Sequence, residues 1–410
     1  MMHTRIKFIH LLCALLVVTL RLPAAMAEEV QRVDLLNLAQ GAVPVAIEGA
    51  AKGLGISMNE ALRAIDGDSG GFVLTPKPGG MDTTIVFVYE LPALTTFEAF
   101  AVPNILETPS PSQTFIRAVT IFGSDTGRDG PFKELASSTL ATHPKKGETT
   151  IFPATIRKPV RWVRVAMSGG IKIERDKTFF EFSEIMGYGD QEQVPLSHAF
   201  SGKWKGRGVK LELKQDGVRV SGCYDDEGDL NGTASGNLLH ATGKTRKSGI
   251  VSAFVLSVGS DNEIIGVRST NGAPFRLYSG DAAPALRTEC SERAVAPIGC
   301  GSVIHGIHFD FDSATIRPES GAYLDALYDG LQSSTAASVM VIGHTSSEGL
   351  DTYNEELSQR RAEAVAAALL TRGIDAKRVS AQGRGEKHPI ADNASEAGRS
   401  LNRRVEIACH

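Results

Sequence analysis

Val339-Met340-Val341-Ile342-Gly343-His344-Thr345-Ser346-Ser347-Glu348-Gly349, with Asp351 to Arg372 close behind, is the stretch that decides the fold of the C-terminal part. Four apolar residues in a row, ended by glycine, predict a strand buried on both faces. The following segment places Leu357, Ala364, Val365, Ala368 and Leu369 in one helical stripe. Working outward, Ile307-His308-Phe309-Asp310-Phe311 reads as a strand. Pro318 to Leu331 reads as a helix carrying Tyr323, Leu324, Leu327, Tyr328 and Leu331. Arg378-Val379-Ser380-Ala381 and Arg404-Val405-Glu406-Ile407-Ala408 read as two further strands. The predicted order is βαβαββ over 301–410, an α/β sandwich with helices on one face of a mixed sheet.

The rest of the chain has a different pattern. Its 410 residues predict two to four domains. With 42% hydrophobic and 22% charged residues the chain is globular, and 42 glycines among short apolar runs favour turn-rich β structure. A net charge of −4 argues against nucleic-acid binding by bulk electrostatics. Residues 28–190 read as a mainly β sandwich, with strands at Thr84 to Tyr89, Phe115 to Phe122 and Arg161 to Val165. Loops are expected at Pro103 to Pro111 and Asp125 to Pro131. Trp162 is expected in the core. Residues 196–290 read as a small β meander or barrel. Val209 to Leu213 and Val218 to Tyr224 alternate with period two around Asp216-Gly217, a hairpin signal. More strands are expected at Ala253 to Val258, Ile264 to Val267 and Phe275 to Tyr278. The acidic loop Asp225-Asp226-Glu227 with Asp229 reads as a solvated turn, with cation binding as the competing reading. Residues 281 to 302 read as a linker.

Residues 1–27 have the layout of a secretory signal peptide. His3, Arg5 and Lys7 precede an apolar run from Phe8 to Leu20, and Ala25-Met26-Ala27 fits a small-x-small cleavage site. An uncleaved anchor is the competing reading, but the run is short for a bilayer span. A chain cut near Ala27 carries 40 basic against 47 acidic residues. Export leaves Cys223, Cys290, Cys300 and Cys409, an even number in an oxidising compartment. The preferred pairing is Cys223–Cys290 with Cys300–Cys409, because each bond then closes within one proposed domain. A Cys290–Cys300 clip and free thiols compete with it.

Two resemblances follow from motifs. In the N-terminal sandwich, Leu36-Asn37-Leu38-Ala39 with Gly41, Ala64-Ile65-Asp66-Gly67-Asp68, Arg161 to Val165 and Phe182-Ser183-Glu184-Ile185-Met186-Gly187-Tyr188-Gly189 are similar to the discoidin-like, galactose-binding jelly-roll family. That resemblance implies ligand-binding loops at one end, often for sugars. Asp66 and Asp68, with backbone carbonyls, form a candidate Ca2+ site; a polar turn is the bland reading. The middle segment is similar to lipocalin-like modules.

The C-terminal motifs are more specific. Phe309-Asp310-Phe311-Asp312-Ser313, Gly343-His344-Thr345, Tyr353-Asn354 with Leu357-Ser358, Arg360-Arg361-Ala362, Gly383-Arg384-Gly385-Glu386, Pro389 and Asn402-Arg403-Arg404-Val405-Glu406 closely resemble the OmpA-like peptidoglycan-binding domain, in order and spacing. The resemblance implies a site formed by Thr345, Ser346, Glu348, Asn354, Leu357 and Arg361. Its ligand, the diaminopimelate side chain, carries a carboxylate and an ammonium on one carbon. Arg361 offers a bidentate fork for the carboxylate. Asn354 lies seven residues earlier on the same helix face. Outside the motif, Arg361 would be read as a surface partner of Glu355 or Asp351. One position departs from the family, which has Asp where this chain has Ser346. Losing that charge-assisted bond costs about 1.5–3 kcal/mol, or about 10–150-fold in affinity. Glu348 is the expected partial substitute.

No catalytic motif appears in the sequence. Asp310 and Asp312 are an i, i+2 pair that would share a proton only if buried together. The expected function is a non-enzymatic cell-envelope protein holding peptidoglycan through its C-terminal domain, its β modules taking glycan or envelope partners. The competing reading is an interaction scaffold that has lost wall binding through Ser346. A glycan hydrolase lacks a carboxylate pair to support it. The expected location is the periplasm or the periplasmic face of the outer membrane, with no nucleic-acid partner.

Overall fold

The computed structural model describes residues 33–75, 77, 79–80, 83–103, 114–141, 148–169, 180–290 and 297–410. The expected signal peptide and most of the Pro103–Pro111 loop lie outside the described residues.

Several β-sheets make up the N-terminal two-thirds, and a mixed α/β unit ends the chain. The first sheet is organised by one long strand, Ile85–Pro103, which is far longer than the expected Thr84 to Tyr89. Its path orders 43–49, 85–103, 160–168, 118–124 and 133–139, and strands 149–153 and 186–191 also pair with the long strand. Pro92 lacks a ladder donor, and the pairing with Val160–Ser168 shifts register between Glu90 and Thr95. The expected Phe115 to Phe122 strand is two pieces, Thr114–Phe115 and Ala118–Ser124, in different sheets. Trp162 is a further correction. Val160, Val163 and Val165 turn into the core, so Trp162 is left half-buried with Arg161 over its ring.

The second sheet has nine strands. From Gly202–Gly206 to Ile264–Thr270, successive strands are antiparallel neighbours. The Asp216-Gly217 hairpin is present, with Gly217 at φ +57° where a side chain would be strained. Residues 276–282 pair with Ile264–Thr270 at one end and with Gly202–Gly206 at the other, covering both edges. Trp204, Leu211, Tyr224, Leu239, Phe254 and Leu256 fill the interior. The acidic loop is neutralised by ion pairs: Asp225 with Arg268, Asp226 with Lys210, and Asp229 with Arg246. The bond Cys223–Cys290 ties residues after this sheet back to it, and Cys300–Cys409 closes the C-terminal unit. Both are the preferred pairing. Glu212 lies beside Cys223 and Cys290, but the disulfide uses both sulfurs.

In the C-terminal unit the strand order is 303–304, 405–409, 339–343, 379–383. Only the 339–343 and 379–383 pair is parallel. Helices Gly321–Gln332 and Asp351–Thr371 supply Leu324, Leu327, Leu331, Val365 and Leu369 to its core. Two expectations need correction. Ile307 to Phe311 is not a ladder strand. The edge is Val303–Ile304, and Phe309 makes one isolated bridge to Ile316. The chain turns there, with Asp312 at φ +51° and the Ser313 amide donating to the Asp310 carbonyl. Asp310 and Asp312 are therefore exposed. A short helix, Glu396–Asn402, also interrupts the expected ββ end, so the order is βαβαβαβ.

The sheets are not strung beads. Leu238, Val255, Ile265 and Val267 of the nine-stranded sheet, and Ala391, Ala397 and Leu401 of the C-terminal unit, join the core of the first sheet. Among the described residues no helix is long and apolar enough to cross a membrane.

Candidate functional site

The site forms where the central strand Val339–Gly343 leaves its sheet. Gly343 must be glycine, because a Cβ there would stand 2.4 Å from the Ser358 carbonyl oxygen. The long helix thus lies directly on the strand end. The next three residues, His344, Thr345 and Ser346, are buried. The His344 amide donates to the Arg404 carbonyl and the Thr345 amide to the Gly385 carbonyl, each at 3.0 Å. Thr345 is 5% exposed, and among the described residues its Oγ1 has no hydrogen-bond partner.

The long helix begins after Leu350, which caps it without a side-chain hydrogen bond. Asp351 in its first turn suits the positive end of the helix dipole. Asn354, Leu357, Ser358, Ala362 and Val365 turn inward at helical spacing. Asn354 Nδ2 donates to Glu386. Ser358 Oγ accepts from the Gly385 amide at 2.8 Å. Arg361, on the same face, is half-buried. Its Nε donates to the Ser313 carbonyl at 3.0 Å, and its guanidinium carbon is 5.0 Å from the Phe309 ring centre. Burial, with Arg403 nearby, pushes its pKa down to about 10, against the pull of Asp312. It stays charged at neutral pH. Among the described residues its terminal nitrogens make no hydrogen bond, and no carboxylate lies within ion-pair distance. Glu355 takes Lys387 instead, at 2.6 Å, so the surface-pair reading of Arg361 fails.

Ser346 Oγ donates to Glu348 at 3.0 Å. Glu348 also faces Arg403 at 3.4 Å and Arg399 at 3.7 Å, and both arginines are shared with Glu396. The loop acid is thus held in a network rather than free. Arg399, Arg403 and Glu396 were not singled out by sequence reasoning. The signal available was the Asn402-Arg403-Arg404 motif, but the pairing needs the unforeseen helix Glu396–Asn402. The arrangement offers a half-buried fork-shaped cation, beside a loop whose acid is already neutralised. It suits an anion with a planar carboxylate.

Asp66 and Asp68 lie elsewhere, and each carboxylate accepts a backbone amide two residues on: Asp68 at 3.0 Å and Gly70 at 2.9 Å. Calcium needs several converging oxygens. Among the described residues no three carboxyl groups bring an oxygen within 4.8 Å of one another. The aspartates alone form the polar turn. Sequence reasoning missed the acids beside them. Asp34 accepts from the Leu36 and Gly187 amides, and Glu184 from the Gly67 amide at 2.7 Å. Burial pushes Asp66 up to about 6, Asp34 to about 7 and Glu184 to about 9.

Residues 308–403 match the OmpA family. Over 102 residues the chain is 47% identical to outer membrane porin F of Pseudomonas fluorescens, covering 25% of this chain and 31% of that one. Over 99 residues it is 41% identical to outer membrane protein A of Bordetella avium, covering 24% and 51%. The chain thus spans between about a third and a half of these relatives. It is also similar to the crystal structure of the peptidoglycan-associated lipoprotein of Burkholderia pseudomallei, at 32% identity and TM-score 0.24, covering 25% of this chain and 88% of that one.

Proposed function

From the OmpA family domain formed by residues 308–403, we propose a non-enzymatic envelope protein that holds peptidoglycan non-covalently. The diaminopimelate carboxylate is bound by Arg361, with Asn354, Leu357 and Thr345 shaping the pocket and Ser346 and Glu348 on the ammonium side. The observation that carries this reading is the guanidinium of Arg361, half-buried and without a carboxylate partner among the described residues. Such a cation carries an unmet desolvation cost that an incoming carboxylate offsets. Residues 1–27 are a signal peptide, 28–190 a jelly-roll sandwich, 196–290 a small barrel, and 301–410 the wall-binding domain. Coverage of both sheet edges by residues 276–282 supports the barrel. The β modules take a glycan or an envelope protein, and the chain works in the periplasm or on the periplasmic face of the outer membrane.

A scaffold that has lost wall binding is the second reading. It is favoured by the engagement of Glu348 with Arg399 and Arg403, which competes with an incoming ammonium. Co-sedimentation with purified sacculi separates the two. Wild type pellets and Arg361→Ala stays in solution if the wall is the ligand. Equal behaviour of both proteins rejects it.

A further inference from the structure

We propose that the contact between the nine-stranded sheet and the C-terminal α/β unit is an acid-released clasp built on His240, His305 and His308. It does not depend on the ligand of the Arg361 site. His240 belongs to strand Leu238–Thr245; the other two follow the edge strand Val303–Ile304. His240 and His305 are each 6% exposed, and their rings stack with centres 5.5 Å apart. The Nδ1 atom of each is buried and has no hydrogen-bond partner among the described residues.

The hydrogen bonds of the trio cross the contact. His240 Nε2 pairs with Ser400 Oγ at 3.2 Å, and His308 Nε2 with Ser235 Oγ at 2.6 Å. The His305 amide donates to Thr233 Oγ1 at 3.2 Å, and the Tyr323 hydroxyl to the Ala234 carbonyl. Three of these four bonds are made by the histidines themselves.

Nearby cationic groups disfavour protonation of His240 and His305, while at His308 the largest charge effect, that of Glu319, favours it. His240 faces His308 and Arg403; His305 faces His240, Arg404 and Glu406; His308 faces Arg317, Arg403 and Glu319. Glu406 is already spent on Arg404, at 2.8 Å from its Nε, and Glu319 is exposed. Burial is the main cause that lowers all three histidines, His240 to about 3. Closed, the trio is neutral. Once wetted, each ring returns to about 6.5. Protons therefore bind the open form, so the clasp is tight above pH about 6.5 and weakens as pH falls. From pH 7.5 to 5.0 each fully dry histidine multiplies the opening constant by about 30-fold. His240 and His305 together give about 1,000-fold.

Hydrogen exchange on the full oxidised chain tests this, with rates corrected for intrinsic pH dependence. Protection of the His305 amide, which donates across the contact to Thr233, should fall about 1,000-fold between pH 7.5 and 5.0, while protection at 85–91 in the first sheet holds. The triple variant His240→Gln, His305→Gln, His308→Gln should show no such fall. Wild-type imidazole signals give a second readout that needs no variant. His240 and His305 should stay neutral until release and then titrate together more steeply than one proton. Protection that changes less than three-fold, loss at 85–91 in step with the interface, or independent titration near 6.5 overturns the proposal.

Discussion

Replacing Ser346 by Asp restores the carboxylate that this chain lacks. Ser346 is buried and its hydroxyl donates to Glu348 at 3.0 Å. Under the proposed wall-binding function, a carboxylate there would meet the ammonium of diaminopimelate directly. One charge-assisted hydrogen bond contributes about 1.5–3 kcal/mol, which is about 10–150-fold in affinity. The cost falls on the unliganded protein. Two carboxylates about 4 Å apart repel by about 4 kcal/mol at an effective dielectric of 20. Arg403 at 3.4 Å and Arg399 at 3.7 Å from Glu348 offset most of that. The net expectation is a loss of about 1–2 kcal/mol in stability with a gain in affinity. Calorimetric titration with free meso-diaminopimelate reads the affinity, and a thermal scan reads the stability. Ser346→Asp should bind at least ten-fold tighter than wild type and melt a few degrees lower. Unchanged or weaker binding in a folded variant refutes the assignment of Ser346 to the ammonium side.

Three further outcomes test the fold. Glu184 is held up to about 9, so the native state binds its proton more tightly than the unfolded chain; that stability is full below pH about 4.5 and drains as pH rises toward 9. Glu184→Gln should therefore raise Tm at pH 8 and change it little at pH 4.5, and the same shift at both pH values would show that charge is not the cause. Cys300→Ala with Cys409→Ala opens a loop spanning 109 residues and should cost about 4–5 kcal/mol in urea unfolding, an upper figure from chain entropy; a loss under 1 kcal/mol contradicts it. Gly343→Ala drives a methyl onto the Ser358 carbonyl and should cost about 1–3 kcal/mol, so an unchanged urea midpoint would mean the helix does not lie on the strand end.

What the sequence made legible had local causes. Val339–Gly343 was legible because a strand covered on both faces must be apolar throughout. Asp351–Thr371 was legible from its inward stripe, and the Asp216-Gly217 hairpin from turn chemistry. Even the disulfides followed from a local argument, that each closes within one unit. Phe309 and Phe311 misled because alternation implies a strand only where a partner strand lies alongside. There the chain turns back on itself, leaving Phe311 exposed. Trp162 misled because one residue of register decides which face of a strand is buried.

The site was legible as a set of residues but not as a network. Arg361 and Asn354 share a helix face, as spacing alone requires. That Glu348 is engaged by two arginines depends on a seven-residue helix with too few apolar positions to announce itself. The clasp histidines come from two separate stretches of the chain, and only tertiary packing brings His240 against His305.

The most direct measurement is a crystal structure of the full chain soaked with meso-diaminopimelate. The account predicts a carboxylate held in a fork by the terminal nitrogens of Arg361, with both contacts near 2.8 Å. Ligand density elsewhere, or an Arg361 that keeps only the Ser313 carbonyl at saturating ligand, would contradict it.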